Sequence, residues 1–302
     1  MNMECIFGRY DGQYPPRNYS EWRILKDCPS SAHAVAMNRL TLTSCMAPNA
    51  DAVCAAIAQY LTHHLDIPTE FINHISWVDR ERLFDAGELL ICWICGLPYV
   101  WKADQSPELL ELLAAPVMQG DRYQSCPVYF SDIVVRHDSP FQRFDDLRGT
   151  VWAYNEPRSH SGYYVTCAHL ATLGEPLTYF GQFLESGAHE TSLQWLLAGT
   201  IDASAIDSTV LETELHRHPA LHRQIRIIGT LGPSPAPPWV ISTRVPQLLR
   251  DRVRSLFLTM HETPWGQSIL AEGAIAHFAP VIDADYAPIR AMAQRAESIL
   301  KK

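Results

Sequence analysis

The chain has 302 residues, 47% apolar and 19% charged: enough apolar side chains for two core-forming lobes and too many for a disordered chain. Lysine plus arginine is 24 against 33 acidic residues, a net charge of −9, which argues against a nucleic-acid partner because such binding needs basic surface to displace counterions. The uncharged run Leu89–Trp101 contains Gly96 and Pro98 and is shorter than the roughly 20 residues that span a bilayer, so no membrane insertion is expected.

Residues 1–38 read as an irregular leader, rich in Tyr, Pro, Arg and Ser without periodicity, and Met37 stands as a candidate start where the pattern becomes regular. Glu4 arrives early, no basic cluster opens the chain, and Cys5 has no apolar segment before it. On the sequence as given this predicts a cytoplasmic protein, or a periplasmic one if the N-terminus is misassigned. The eight cysteines are scattered, which fits free thiols better than a disulfide framework.

Arg39–Cys45 alternates as a strand, and Pro48 with Asn49 opens a helix whose apolar face is Val53, Ala56, Ile57, Tyr60 and Leu61. Thr69–Ile75 predicts a strand, Trp77–Ala86 a helix stopped by Gly87, Leu89–Cys95 a buried strand, Pro107–Leu113 a helix, and Val128–Arg136 a long strand. Thr150–Asn155 is a strand leading through E-P-R-S-H-S-G into a helix over Tyr163–Leu173. Glu190–Ala198 is a helix stopped by Gly199, and Ile201–Ile206, Ile225–Ile228 and Trp239–Ser242 are strands. Helices over Gln247–His261, Pro264–Ala271 and Ala284–Leu300 close the chain.

This alternation predicts an α/β protein with mostly parallel sheets flanked by helices. An internal echo supports two similar lobes: Leu83–Ile94 and Trp195–Ile206 each run helix end, Ala-Gly stop, buried strand. Residues 39–132 and 237–302 form lobe 1 in this reading, and residues 133–236 form lobe 2. Ligands sit beyond the carboxyl ends of strands in such sheets, so Met46, Cys95, the Arg158–Gly162 loop and Asp207 would face one cleft.

The chemically richest stretch is N-E-P-R-S-H-S-G-Y, Asn155–Tyr163. Pro157 fixes the loop, Ser159 or Ser161 can cap the helix, and Gly162 permits close approach to the backbone. A helix start presents unpaired N–H groups and a partial positive charge, and two hydroxyls add donors suited to a tetrahedral oxyanion. The expectation is an exposed donor cluster waiting in the cleft.

This loop resembles the N-D-P-x-S-x-S-G-Y loop of phosphate, phosphite and phosphonate-binding proteins (PhnD-like), the substrate-binding components of ABC importers. D-D-L-R-G before it, S-G-A-H-E-T-S at Ser186–Ser192, A-G-T-I-D-A-S-A-I-D-S-T-V-L-E at Ala198–Glu212 and I-C-W-I-C-G-L-P-Y-V follow in the family's order. The resemblance implies a type II periplasmic-binding fold, two lobes joined by two crossing strands, with a cleft that closes on its ligand by hinge motion. It implies that Ser159, His160, Ser161 and Gly162, with Tyr163 beside them, grip the oxyanion. Asp207 would meet an amine or hydroxyl at the ligand's far end, and Ile94 and Cys95 would form a first-lobe wall. It departs at Glu156, where the family has Asp, at His160, where a small hydroxyl residue is common, and at Cys95, where an aromatic residue is usual.

Three further expectations follow. His189, at another helix start, is a cap partner or a ligand contact. His160 changes protonation when an anion binds. No cofactor or metal is implied: the Cys92–Cys95 pair lies in a strand, and His216, His218 and His222 read as a solvated segment. The preferred function is a non-catalytic solute-binding protein for a small anionic ligand, serving an ABC permease and ATPase or acting as a sensor. The alternative is a cytosolic enzyme of cofactor biosynthesis on the same fold.

Overall fold

The computed structural model describes residues 37–301; the leader up to residue 36, with Cys5 and Cys28, lies outside the described residues. In chain order the first lobe runs β1 (Leu40–Ser44), α1 (Asp51–Leu65), β2 (Thr69–Ile72), α2 (Trp77–Asp85), β3 (Ile91–Trp93), α3 (Gly96–Gln105) and β4 (Leu110–Met118). The chain then crosses to β5 (Val128–Arg136), β6 (Val151–Tyr154), α4 (Val165–Thr172), β7 (Gln182–Glu185), α5 (His189–Ala198), β8 (Ala203–Asp207), α6 (Ser208–Arg217) and β9 (Ile225–Pro235). It returns through β10 (Trp239–Ser242), α7 (Gln247–Thr259), α8 (Pro264–Glu272), β11 (Ile275–Ala279) and α9 (Ala287–Leu300).

Two sheets result, ordered β11-β4-β10-β3-β1-β2 and β7-β6-β8-β5-β9. Both are mixed. In each, three parallel strands (β2-β1-β3 and β7-β6-β8) are extended by an antiparallel strand that has come from the other lobe's side of the chain, β10 or β5. The sheets therefore share one arrangement, with β1 equivalent to β6 and β3 to β8, and this is the architecture behind the Ala-Gly echo. Gly87 and Gly199 both take left-handed φ, +69° and +73°, which a residue with a Cβ adopts only under strain.

The crossings are residues 119–127 and 236–238, tied side by side where the Ala236 N–H donates to the Pro127 carbonyl at 2.8 Å. The second lobe's sheet thus begins at Val128, before the boundary expected at residue 132. The closing helix, expected in lobe 1, packs on both lobes: Ile289 and Ala293 join a first-lobe core, while Met292 and Ala296 join a second-lobe core with Trp152, Leu170 and Phe180.

The helix expected over Pro107–Leu113 is a single turn, Pro107–Leu109, followed by β4. Its Leu and Glu residues favour a helix locally, but pairing with β10 and β11 buries Leu113–Met118 on both flanks and overrides that preference. Helices α3 and α6 and strands β7 and β11 are absent from the sequence reading. Pro98 disguises α3, although it occupies the first turn, where a missing N–H costs nothing. Among the described residues, no helix is long and apolar enough to cross a membrane.

Candidate functional site

Equivalent strands end at the same edge of each sheet, and three of the helix starts that follow, those after β3, β6 and β8, lie near one another through Cys95, His160 and Asp207. The one after β6 carries the serines. The Ser159 hydroxyl caps it, accepting from the Gly162 N–H at 3.2 Å, which decides between the two candidate caps. The first turn, His160–Tyr164, is a π-turn, and α4 follows from Val165. Ser159 and Ser161 hydroxyls lie 3.5 Å apart.

The S-G-A-H segment is pinned against this loop. The Ser186 and Gly187 N–H groups donate to the Tyr154 and Asn155 carbonyls at 2.8 and 2.7 Å, and the Ser186 hydroxyl contacts Ser192 at 2.6 Å. That places His189 Nε2 3.1 Å from the Ser161 hydroxyl. Gly162 has a specific reason to be glycine: a Cβ there would lie 2.0 Å from Asn155 Oδ1 and 3.2 Å from His189 Cε1. The close approach that glycine permits is thus made by the site's own side chains.

Opposite stands Cys95, the residue before α3, whose thiol lies close to the N–H groups of Leu97 and His160. Burial raises the thiol to about 11, and these two N–H groups offset part of that rise. The first lobe therefore comes close to the second lobe's helix start at this point. Asp207 caps α6, its Oδ1 accepting from the Thr209 N–H at 2.9 Å and from the Thr209 hydroxyl at 2.7 Å. Burial raises Asp207 to about 6 against these bonds, and its charge reaches both Cys95 and Tyr129.

The expectation of an exposed donor cluster is not met. Ser159 and Ser161 are each 4% exposed and His160 is fully buried. Much of their cover comes from the second lobe itself: His160 Nε2 is on Ser234, the Ser161 hydroxyl on His189, and the Tyr129 ring lies edge-on to His160, with Cys95 of the first lobe close by. His160 does not point along the helix start; its Nε2 pairs with the Ser234 hydroxyl at 3.0 Å. Burial lowers both His160 and His189 to about 4, so both rings are neutral near pH 7.

Two further residues of the expected site have neighbours in their own lobes. The Tyr163 ring packs on Tyr154 and Phe183, at 4.6 and 5.5 Å, in the second lobe's aromatic core. Met46 packs against the first-lobe core, its N–H on the Ser44 hydroxyl at 3.1 Å. The Cys92 thiol lies 3.8 Å from Cys45, on the neighbouring strand, and is buried, whereas Cys95 is half-buried at the lobe interface. His216, His218 and His222 are exposed, and no metal-binding cluster occurs among the described residues.

The structure adds residues that the sequence reading passed over. Tyr129 on β5 pairs with Ser234 on β9, and its ring meets His160 edge-on at 6.4 Å. Its hydroxyl is buried beside Ser161 without a hydrogen bond of ordinary geometry. Asn155 Oδ1 and the Nδ1 atoms of His160 and His189 are also buried without partners among the described residues. The period-2 pattern of Val128–Arg136 marks Tyr129 as inward-facing; nothing in the sequence marks Ser234. On the outer side of Arg158 lies a groove of about 550 Å³ lined by Glu81, Trp101, Lys102 and Arg244, separate from the serine loop.

What converges is a set of neutral donors (two serine hydroxyls, helix-start N–H groups, neutral histidine and tyrosine) in a buried place between two lobes. Neutral oriented dipoles stabilise a desolvated oxyanion without needing a counter-charge.

Comparison with known proteins agrees with this arrangement. A family model described as "ABC transporter, phosphonate, periplasmic substrate-binding protein" matches residues 46–286. The binding-protein component of an ABC phosphonate transporter from Pseudomonas aeruginosa superposes with a TM-score of 0.75 at 16% identity, covering 87% of this chain and 88% of that one. PhnD1 from Prochlorococcus marinus, in complex with methylphosphonate, gives 0.73 at 18% identity over 86% and 98%. A Xanthomonas citri protein bound to ATP gives 0.69 at 16% identity over 88% and 99%. At such identities these likenesses establish the fold, a two-lobed periplasmic-binding architecture.

Proposed function

Because this chain belongs to the family of periplasmic substrate-binding proteins of phosphonate ABC transporters, we propose that it captures a small tetrahedral oxyanion, of the phosphate, phosphite or phosphonate type, between its lobes. The observation that carries this reading is the Ser159–Gly162 helix start, capped by the Ser159 hydroxyl and with His189 on Ser161. The oxyanion would take the second-lobe donors, Ser159 and Ser161 hydroxyls, the helix-start N–H groups and His189. Tyr129 and Asp207 would meet its remaining atoms. Methylphosphonate, present in the Prochlorococcus complex, has the tetrahedral head these donors suit.

The donors are covered in this structure, and capture would uncover them by the lobes parting and closing again. Its partners would be an ABC permease, met at the outer face of a membrane, and the ATPase that drives it; a ligand sensor would use the same closure. Non-catalytic binding fits the chemistry better than catalysis. Ser161 and His189 are spaced like a nucleophile and its base, but burial holds His189 to about 4, too weak a base to activate a hydroxyl near neutral pH.

Calorimetric titration with phosphate, phosphite and methylphosphonate, with sulfate and acetate as comparisons, tests the proposal. At least one phosphorus oxyanion should bind with one-to-one stoichiometry, and at 100 times its Kd should stabilise the fold by about 2.7 kcal/mol. Heat from none of them, or equal heat from all five, would contradict it.

A further inference from the structure

We infer that Arg158 is a positioning residue: a latch that holds the lobes closed beside the oxyanion site without touching the ligand. It rests on the capture reading only for its consequence for affinity; the latch itself is a property of the protein alone.

Arg158 belongs to the second lobe and immediately precedes the capping Ser159. Its Nη2 donates to Glu81 Oε1, on first-lobe helix α2, at 2.8 Å. Its guanidinium also lies over the ring of Trp101, on first-lobe helix α3, 5.6 Å from the centroid. Trp101 in turn meets second-lobe Tyr164 edge-on at 5.7 Å. All three contacts cross between lobes, and all sit at one mouth of the interface.

The electrostatics make this more than a surface ion pair. The Glu81 side chain is only 5% exposed, so its carboxylate has lost most of its water and depends on its partners. One is Lys102 of its own lobe, Nζ to Oε1 at 2.9 Å, with Lys102 further tied to Asp85 at 2.6 Å. The other is Arg158. When the lobes part, Glu81 keeps Lys102 and the first lobe stays folded, but the carboxylate gives up its second cation. When they close, Arg158 returns to Glu81 in the same movement that brings Cys95 to the His160 N–H, two residues further along the loop. The Arg158 side chain is 43% exposed in the groove, so the pair can form and break without unfolding either lobe. Glu156, whose carboxyl burial raises, accepts from the Arg158 N–H at 3.3 Å and fixes the base of the loop.

The experiment compares wild type, Arg158→Ala, Arg158→Lys and Lys102→Ala, each first shown by circular dichroism to be folded. Small-angle scattering without added anion reads lobe closure, and calorimetry and stopped-flow with inorganic phosphate and methylphosphonate read capture. Arg158→Ala should enlarge the radius of gyration and weaken the binding of whichever probe binds about tenfold, through faster release. Arg158→Lys should restore part of both. Lys102→Ala, which removes a partner inside one lobe, should leave the radius unchanged. An unchanged radius in Arg158→Ala overturns the latch, as does equal expansion in Lys102→Ala, which would make Glu81 a general folding support. If neither probe binds wild type, the capture reading fails while the radius of Arg158→Ala still decides the latch.

Discussion

The strand ends of the two lobes are built alike and equipped differently. After β6 and β8, the second lobe places Ser159 and Asp207, both capping their helices through the side chain. After β1 and β3, the equivalent positions in the first lobe start helices from Ala47, Ala50 and Cys95, none of which makes a side-chain cap. Backbone topology thus supplies helix starts at matching strand ends of both lobes, and the side chains there differ. As proposed, the second lobe would hold the oxyanion by itself and the first lobe would complete the enclosure through Cys95 and through Glu81 and Trp101, which Arg158 engages.

The largest test of that asymmetry is a matched pair of glycine substitutions. Gly162→Ala in the gripping lobe drives a methyl into Asn155 and His189 and should cost about 1–3 kcal/mol of stability, with loss of oxyanion binding. Gly96→Ala in the covering lobe meets only the end of Ile289 at 2.3 Å, a flexible terminus that can turn away, so its effect in thermal unfolding should be smaller. If the order is reversed, the gripping role belongs to the first lobe.

A second pair removes one polar group from each side. Ser161→Ala leaves His189 Nε2 buried without its partner, costing about 1–3 kcal/mol of stability. It should also weaken phosphate or methylphosphonate binding more than tenfold in calorimetry. Cys95→Ser keeps the size of the covering residue and should change the affinity less than tenfold. Similar losses in both variants would erase the distinction between grip and cover.

The second lobe also contributes a particular pH dependence. His160 and His189 titrate near 4 when folded, below their unfolded value of about 6.5. The unfolded chain therefore binds their protons first, and the stability they contribute is present above pH 6.5 and lost as pH falls towards 4. Asp207, raised to about 6, acts oppositely: its contribution is present below about 3.8 and fades as pH rises through 6. Two groups outweigh one, so between pH 6.5 and 4 the site as a whole should lose stability on acidification. His160→Gln should flatten the slope measured by denaturant titration at successive pH values, whereas Asp207→Asn should steepen it.

The same asymmetry explains what could be read from the sequence. Ser159 and Asp207 announce themselves because helix caps draw on a small set of polar residues. The covering lobe offers apolar signals that several structures share. Gly96–Gln105 hides a helix behind Pro98, and Leu110–Met118 has helix-forming residues in a strand fixed by partners more than a hundred residues away. The surroundings of Tyr163 were hidden for a related reason: the chain places it beside Gly162, but the π-turn brings its ring onto Tyr154 and Phe183. Closure itself is a tertiary property, so the burial of the donors and the Arg158–Glu81 contact had no signature in the chain.

Backbone amide NMR of the isotope-labelled protein, titrated with methylphosphonate and with phosphate, tests the central claim most directly. The account predicts that the amides of His160, Ser161 and Gly162 and the ring of His189 shift most, with Cys95 following. Shifts confined to Lys102 and Arg244 in the outer groove, with His160–Gly162 unmoved, would contradict it.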